Sequence, residues 1–165
     1  MADFLRAHGY APGPTQRPLL AGAASGLIAT LPAVGLLDLF GTLAIEAAIL
    51  RLSIFETLAA GGVLMAVAGA LYARLYGRAA NDPRGGWLSG MAYGFALWAA
   101  GAVMVLPIAG GGLAPAGSAA LGAFLSLVVW GGALGSLLPF VQRRLHQDLE
   151  TAAKGAETGP DAAAG

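Results

Sequence analysis

Cysteine is absent from the 165-residue chain, which removes disulfides, thiolate metal sites and thiol nucleophiles together and leaves the redox compartment open. Histidine is nearly absent: His8 and His146 are the only two, and both fall outside the apolar segments. A haem or an imidazole-bound metal inside a helical bundle therefore has no ligand. Charge is scarce as well. Charged residues make up 11% of the chain, against about 25% in ordinary soluble domains, and nine basic residues balance nine acidic ones. With no net charge there is no global field to gather nucleic acid. The sequence has no HExxH, nucleophile elbow, Walker loop or dinucleotide fingerprint, and the triplet Gly110 to Gly112 lacks the Lys and Ser or Thr that phosphate binding needs. No catalytic residue, metal or cofactor is expected.

What the chain has instead is apolar length. Hydrophobic residues make up 57% of it, above the soluble norm of about 45–50%. The run GWLSGMAYGFALWAAGAVMVLP, Gly86 to Pro107, carries no charge over 22 residues. At about 1.5 Å per residue it reaches roughly 33 Å, enough for a hydrocarbon core of about 30 Å with modest tilt. Three further runs have similar character, so the sequence predicts an all-α, integral membrane four-helix bundle made of two helical hairpins. Its spans fall at about 18–37, 57–77, 87–108 and 118–141. Residues 1–17 read as a polar N-terminal tail. The run after them is longer than a signal-peptide core, which favours an uncleaved first span. Within that span Pro32 is expected to kink the helix or to mark its outer end. Residues 142–165 read as a helical extension followed by a disordered tail.

Between spans one and two, residues 38–56 stay apolar yet carry Asp38, Glu46, Arg51 and Glu56. Asp38, Thr42 and Glu46 recur every four residues and form a polar stripe. Two arrangements fit: an amphipathic helix at the outer interface, or a continuation of span one past its kink with the stripe turned inward. If the stripe faces water it is a solvated surface. If it faces a cleft, Asp38, Thr42, Glu46 and Arg51 form a polar pathway for protons or a cation.

Orientation follows from the basic residues. Arg6, Arg17, Arg74, Arg78, Arg84, Arg143, Arg144 and Lys154 fall on one side of a four-span layout and only Arg51 on the other, so both termini are expected in the cytoplasm and the protein in a cytoplasmic membrane. Gly26 with Leu31-Pro32 also matches Gly101 with Leu106-Pro107, and Gly69-Ala70-Leu71 with Leu75 matches Gly132-Ala133-Leu134 with Leu138. Such a pattern fits two parallel hairpin repeats.

Small residues at helical spacing are the strongest local signal: Gly22 and Gly26, then Gly86, Gly90 and Gly94, then Ser118, Gly122 and Ser126, and finally Gly131 and Gly135. They predict close helix contact, either inside one bundle or against a second copy or a larger membrane complex. Trp98 and Trp130 lie mid-span rather than at the headgroups. Each indole N–H needs an acceptor, and the pair reads as core filling or as the wall of a pocket for a lipid tail or quinone-like ligand.

Four segments, GLIATL from Gly26, ALYARLYG from Ala70, GMAYGFALWAAGAVMVLP from Gly90 and WGGALGSLLP from Trp130, resemble a family of small bacterial four-span membrane proteins defined as a domain of unknown function, and more loosely YagU-like inner-membrane proteins. The resemblance implies a four-span fold in a bacterial inner membrane and no particular activity. Histidines that precede glycines in spans two and four of that family have no counterpart here. The expectation from sequence is a non-catalytic membrane protein in contact with lipids and not with nucleic acid. It serves as a structural or accessory component docking through its glycine faces, or else as a small transporter with a site between the hairpins, or as a binder of an apolar ligand.

Overall fold

The computed structural model describes residues 18–76, 85–113 and 115–157, with the side chains of 146–157 left aside. The expected polar tail at 1–17, nearly all of the connection around Arg78, and the last residues of the chain lie outside the described residues. Every regular element described is helical: α1 (Pro18–Leu39), α2 (Thr42–Leu50), α3 (Ile54–Leu75), α4 (Gly86–Ala109) and α5 (Ser118–Glu157). The helices α1, α3 and α4, together with the first 28 residues of α5, are long and apolar enough to cross a membrane. This is a multi-pass membrane protein. Successive spans run in opposite directions, so the start of α1 and the end of α5 share one end of the bundle, and α2 lies across the other.

Along α1 the buried face carries small side chains and the exposed face large ones. Ala21, Gly22, Ser25, Gly26, Ala29 and Ala33 are the buried face of α1, whereas Leu27, Ile28 and Leu31 point out. A soluble protein does the reverse. In a bilayer, lipid tails are as apolar as leucine, so helices gain by close backbone packing rather than by hiding leucines.

That packing decides the arrangement. A Cβ placed on Gly22 would collide with the Gly69 carbonyl oxygen, and one on Gly26 with the Met65 carbonyl oxygen, which fixes α1 on α3. Gly90 and Gly131 stand in the same relation to each other's carbonyls, as do Gly94 to Leu127 and Gly135 to Gly86, which fixes α4 on α5. Helices α1 and α5 pack together at the centre, giving the spatial order α3, α1, α5, α4, while α3 and α4 make almost no backbone contact. The two hairpins thus meet through their α1 and α5 helices and leave a gap between the other two.

Three local devices shape the end at α2. Gly41, with φ of 66°, takes the left-handed conformation that turns the chain out of α1. Asp38 and Thr42 consequently sit on different helices, although their spacing in sequence would suit one. Ser53 and Glu56 form a capping box: the Ser53 Oγ accepts from the Glu56 N–H at 3.2 Å, and the Ser53 N–H donates to Glu56 Oε2 at 2.8 Å. The box starts α3 at Ile54, three residues before the apolar run suggests. In α4, residues Ala99–Val105 widen into a π-helical stretch just before Pro107, with the Leu106 N–H donating to the Gly101 carbonyl. Proline has no N–H to complete an α-helical ladder, and its ring crowds the preceding turn.

Candidate functional site

The gap between α3 and α4 forms a cavity of about 580 Å³ beneath α2. Its back wall comes from Ala33 and Val34 of α1 and from Ala123, Ser126 and Leu127 of α5. Gly61, Leu64 and Met65 line one side, and Leu97, Gly101 and Val105, two of them in or at the edge of the π stretch, line the other. Leu64 and Val105 are also 62% and 61% exposed, so the cavity communicates with the surroundings through the α3–α4 gap. The volume lies within the range of about 300–1,000 Å³ typical of small-molecule sites.

A brace of aromatic side chains closes the end where α1 begins. The Tyr93 hydroxyl donates to the Ala68 carbonyl at 3.0 Å, and the Tyr72 hydroxyl reaches the Gly86 carbonyl at 3.2 Å and Ser89 Oγ at 2.8 Å. The rings of Tyr72, Tyr76 and Tyr93 cluster with centroids 5.3–5.9 Å apart, Tyr72 stacked on Tyr76, and Tyr93 continues to Trp130 at 6.2 Å. Tyrosines therefore join α3 to α4 where the backbones do not meet.

The cavity's polar content is small. Thr57 Oγ1 donates to the Ser53 carbonyl and Ser126 Oγ to the Ala123 carbonyl, each at 3.0 Å, and Thr30 Oγ1 donates to the Leu27 carbonyl. Glu46 is different. It projects from α2 into the cavity, is half-buried, and burial pushes its carboxyl up from the ordinary glutamate value with no hydrogen bond or countercharge acting on it. It is the one charged side chain lining the cavity among the described residues.

The other residues singled out from sequence are dispersed. Thr42 is buried and donates to the Ala119 carbonyl at 3.0 Å, whereas Asp38 and Arg51 are exposed. Trp130 is fully buried, with its indole N–H donating to the Gly26 carbonyl at 2.9 Å. Trp98 packs on Phe95 and Phe124 in a separate aromatic group, and neither tryptophan lines the cavity. Gly122 faces Phe40 and Thr42, seating α5 against the turn between α1 and α2. Gly22, Gly26, Gly86, Gly90, Gly94, Gly131 and Gly135 are all consumed in contacts within the chain. Sequence reasoning gave no packing role to Gly69, the partner of two of them, and no cavity role to Gly61 and Gly101, whose missing side chains leave open space in the cavity wall. Their signal was weak: glycines in apolar runs, outside any ladder.

No family model, curated protein or solved structure matches the chain.

Proposed function

We propose that this protein binds an apolar or amphiphilic ligand, drawn from the membrane, in the cavity between α3 and α4, and that it does so without catalysis. The observation that carries the reading is the cavity itself: about 580 Å³, almost wholly apolar, open through the gap between two spans and roofed by a helix that brings in one carboxylate. A transport role would add passage through the same site. An accessory role through the glycine faces has less to stand on, because those faces are filled by the chain's own backbone. The membrane is taken to be a bacterial cytoplasmic one, following the resemblance of the four quoted segments. Arg74, Arg143 and Arg144 mark the end where α1 begins and Arg51 the other, which supports cytoplasmic termini.

Native mass spectrometry of the full chain released from its own membrane tests the reading. Gly61 and Gly101 line the cavity and a Cβ on either meets nothing within 4 Å, so Gly61→Phe and Gly101→Trp are the substitutions chosen to fill it. The expected result is an apolar adduct on the wild type that both variants lose. An adduct unchanged in both variants, or a co-purifying protein in place of any adduct, would contradict the proposal.

A further inference from the structure

Inside a bilayer, apolar surface gives a ligand little reason to prefer the cavity, because the acyl chains it leaves are as apolar as the leucines it meets. Selection falls to the polar groups. The lining hydroxyls of Thr30, Thr57 and Ser126 already donate to carbonyls of their own helices or caps, which leaves Glu46. No Lys, Arg or His lines the cavity among the described residues, so an anionic head would meet a carboxylate and no countercharge. The elements packed around α2 offer none either. Asp38 at the end of α1 and Glu56 at the start of α3 are exposed, as is Arg51 at the C-cap of α2 itself. Tyr72 and Arg74 lie at the far end of α3, Tyr93 is bonded to the Ala68 carbonyl, and residues 118–142 of α5 contain no titratable group.

We propose that the cavity selects amphiphilic cations, with an ammonium-type head paired to Glu46 and an apolar body held between α3 and α4. This rests on the cavity reading above. A cation supplies the compensation that a desolvated carboxylate lacks. Because burial also favours the protonated carboxyl, the empty site holds a proton more readily than an exposed glutamate does. A permanent cation must displace that proton, releasing it to solvent as the ion pair forms. Below the Glu46 pKa the apparent affinity should therefore fall about tenfold for each pH unit.

Binding of dodecyltrimethylammonium to the full chain in lipid nanodiscs, over a pH series and beside the neutral dodecanol, tests the inference. The cation is expected to bind more than tenfold tighter than the alcohol at alkaline pH, to lose that preference and its pH dependence in Glu46→Gln, and to keep both in Glu46→Asp. Gly101→Trp should exclude both probes. If Gly101→Trp excludes both but the cation is not preferred, or Glu46→Gln leaves it unaffected, the cationic assignment fails and the cavity reading stands. If neither probe is sensitive to Gly101→Trp, both fail.

Discussion

Glu46 sets the pH behaviour of the fold as well as that of the site. Burial holds its carboxyl above the ordinary glutamate value, so the folded chain binds this proton more tightly than the unfolded one. Stability is then unaffected by Glu46 below the unfolded pKa, falls as pH rises past it, and stays lowered above the folded pKa. Glu46→Gln should remove that dependence. Thermal unfolding in a mild detergent should show the variant melting higher than the wild type at alkaline pH and together with it at acid pH; equal melting throughout would mean that the carboxylate is solvated. The glycines divide just as sharply. Gly131→Ala drives a Cβ into the Gly90 carbonyl and must part α4 from α5, at a cost of about 2–3 kcal/mol or more. Gly61→Ala meets open space and should be neutral or stabilise by about 0.5–1 kcal/mol through helix propensity. Unfolding in the same detergent measures both.

At the scale of the element, four spans were readable because apolar length is a direct requirement of the bilayer. The capping box at Ser53 and Glu56 was equally open to reading, though the apolar run drew the expected start to Thr57. Other features were not legible. Glycine ladders announce close contact without naming the partner, so the order α3, α1, α5, α4 had to come from the structure. The turn at Phe40 and Gly41 breaks what looks like one stripe, since a four-residue spacing says nothing about whether the helix between is continuous. The π stretch of α4 directly precedes Pro107, and Gly101 and Val105 within it lie on the cavity wall. Pro107→Ala restores the missing N–H and allows an α-helical register, which turns that wall. The variant is expected to fold as well as the wild type and to retain its ligand several-fold less, as read by adduct occupancy in native mass spectra. Undiminished occupancy would separate the π stretch from binding.

At the scale of the whole molecule, two hairpins are each sealed by glycine contacts, joined through α1 and α5, and held open between α3 and α4. Tyrosines brace the gap at one end and α2 roofs it at the other, leaving a lateral entrance where Leu64 and Val105 are exposed. Photolabelling in native membranes with a diazirine-bearing alkyl probe tests this arrangement most directly. Saturable labelling is expected at Met65, Leu97 and Leu127, which line the cavity, competed by excess unlabelled probe and lost in Gly101→Trp. Labelling that is only non-saturable and confined to outward residues such as Leu31, Leu71 and Phe140 would contradict it.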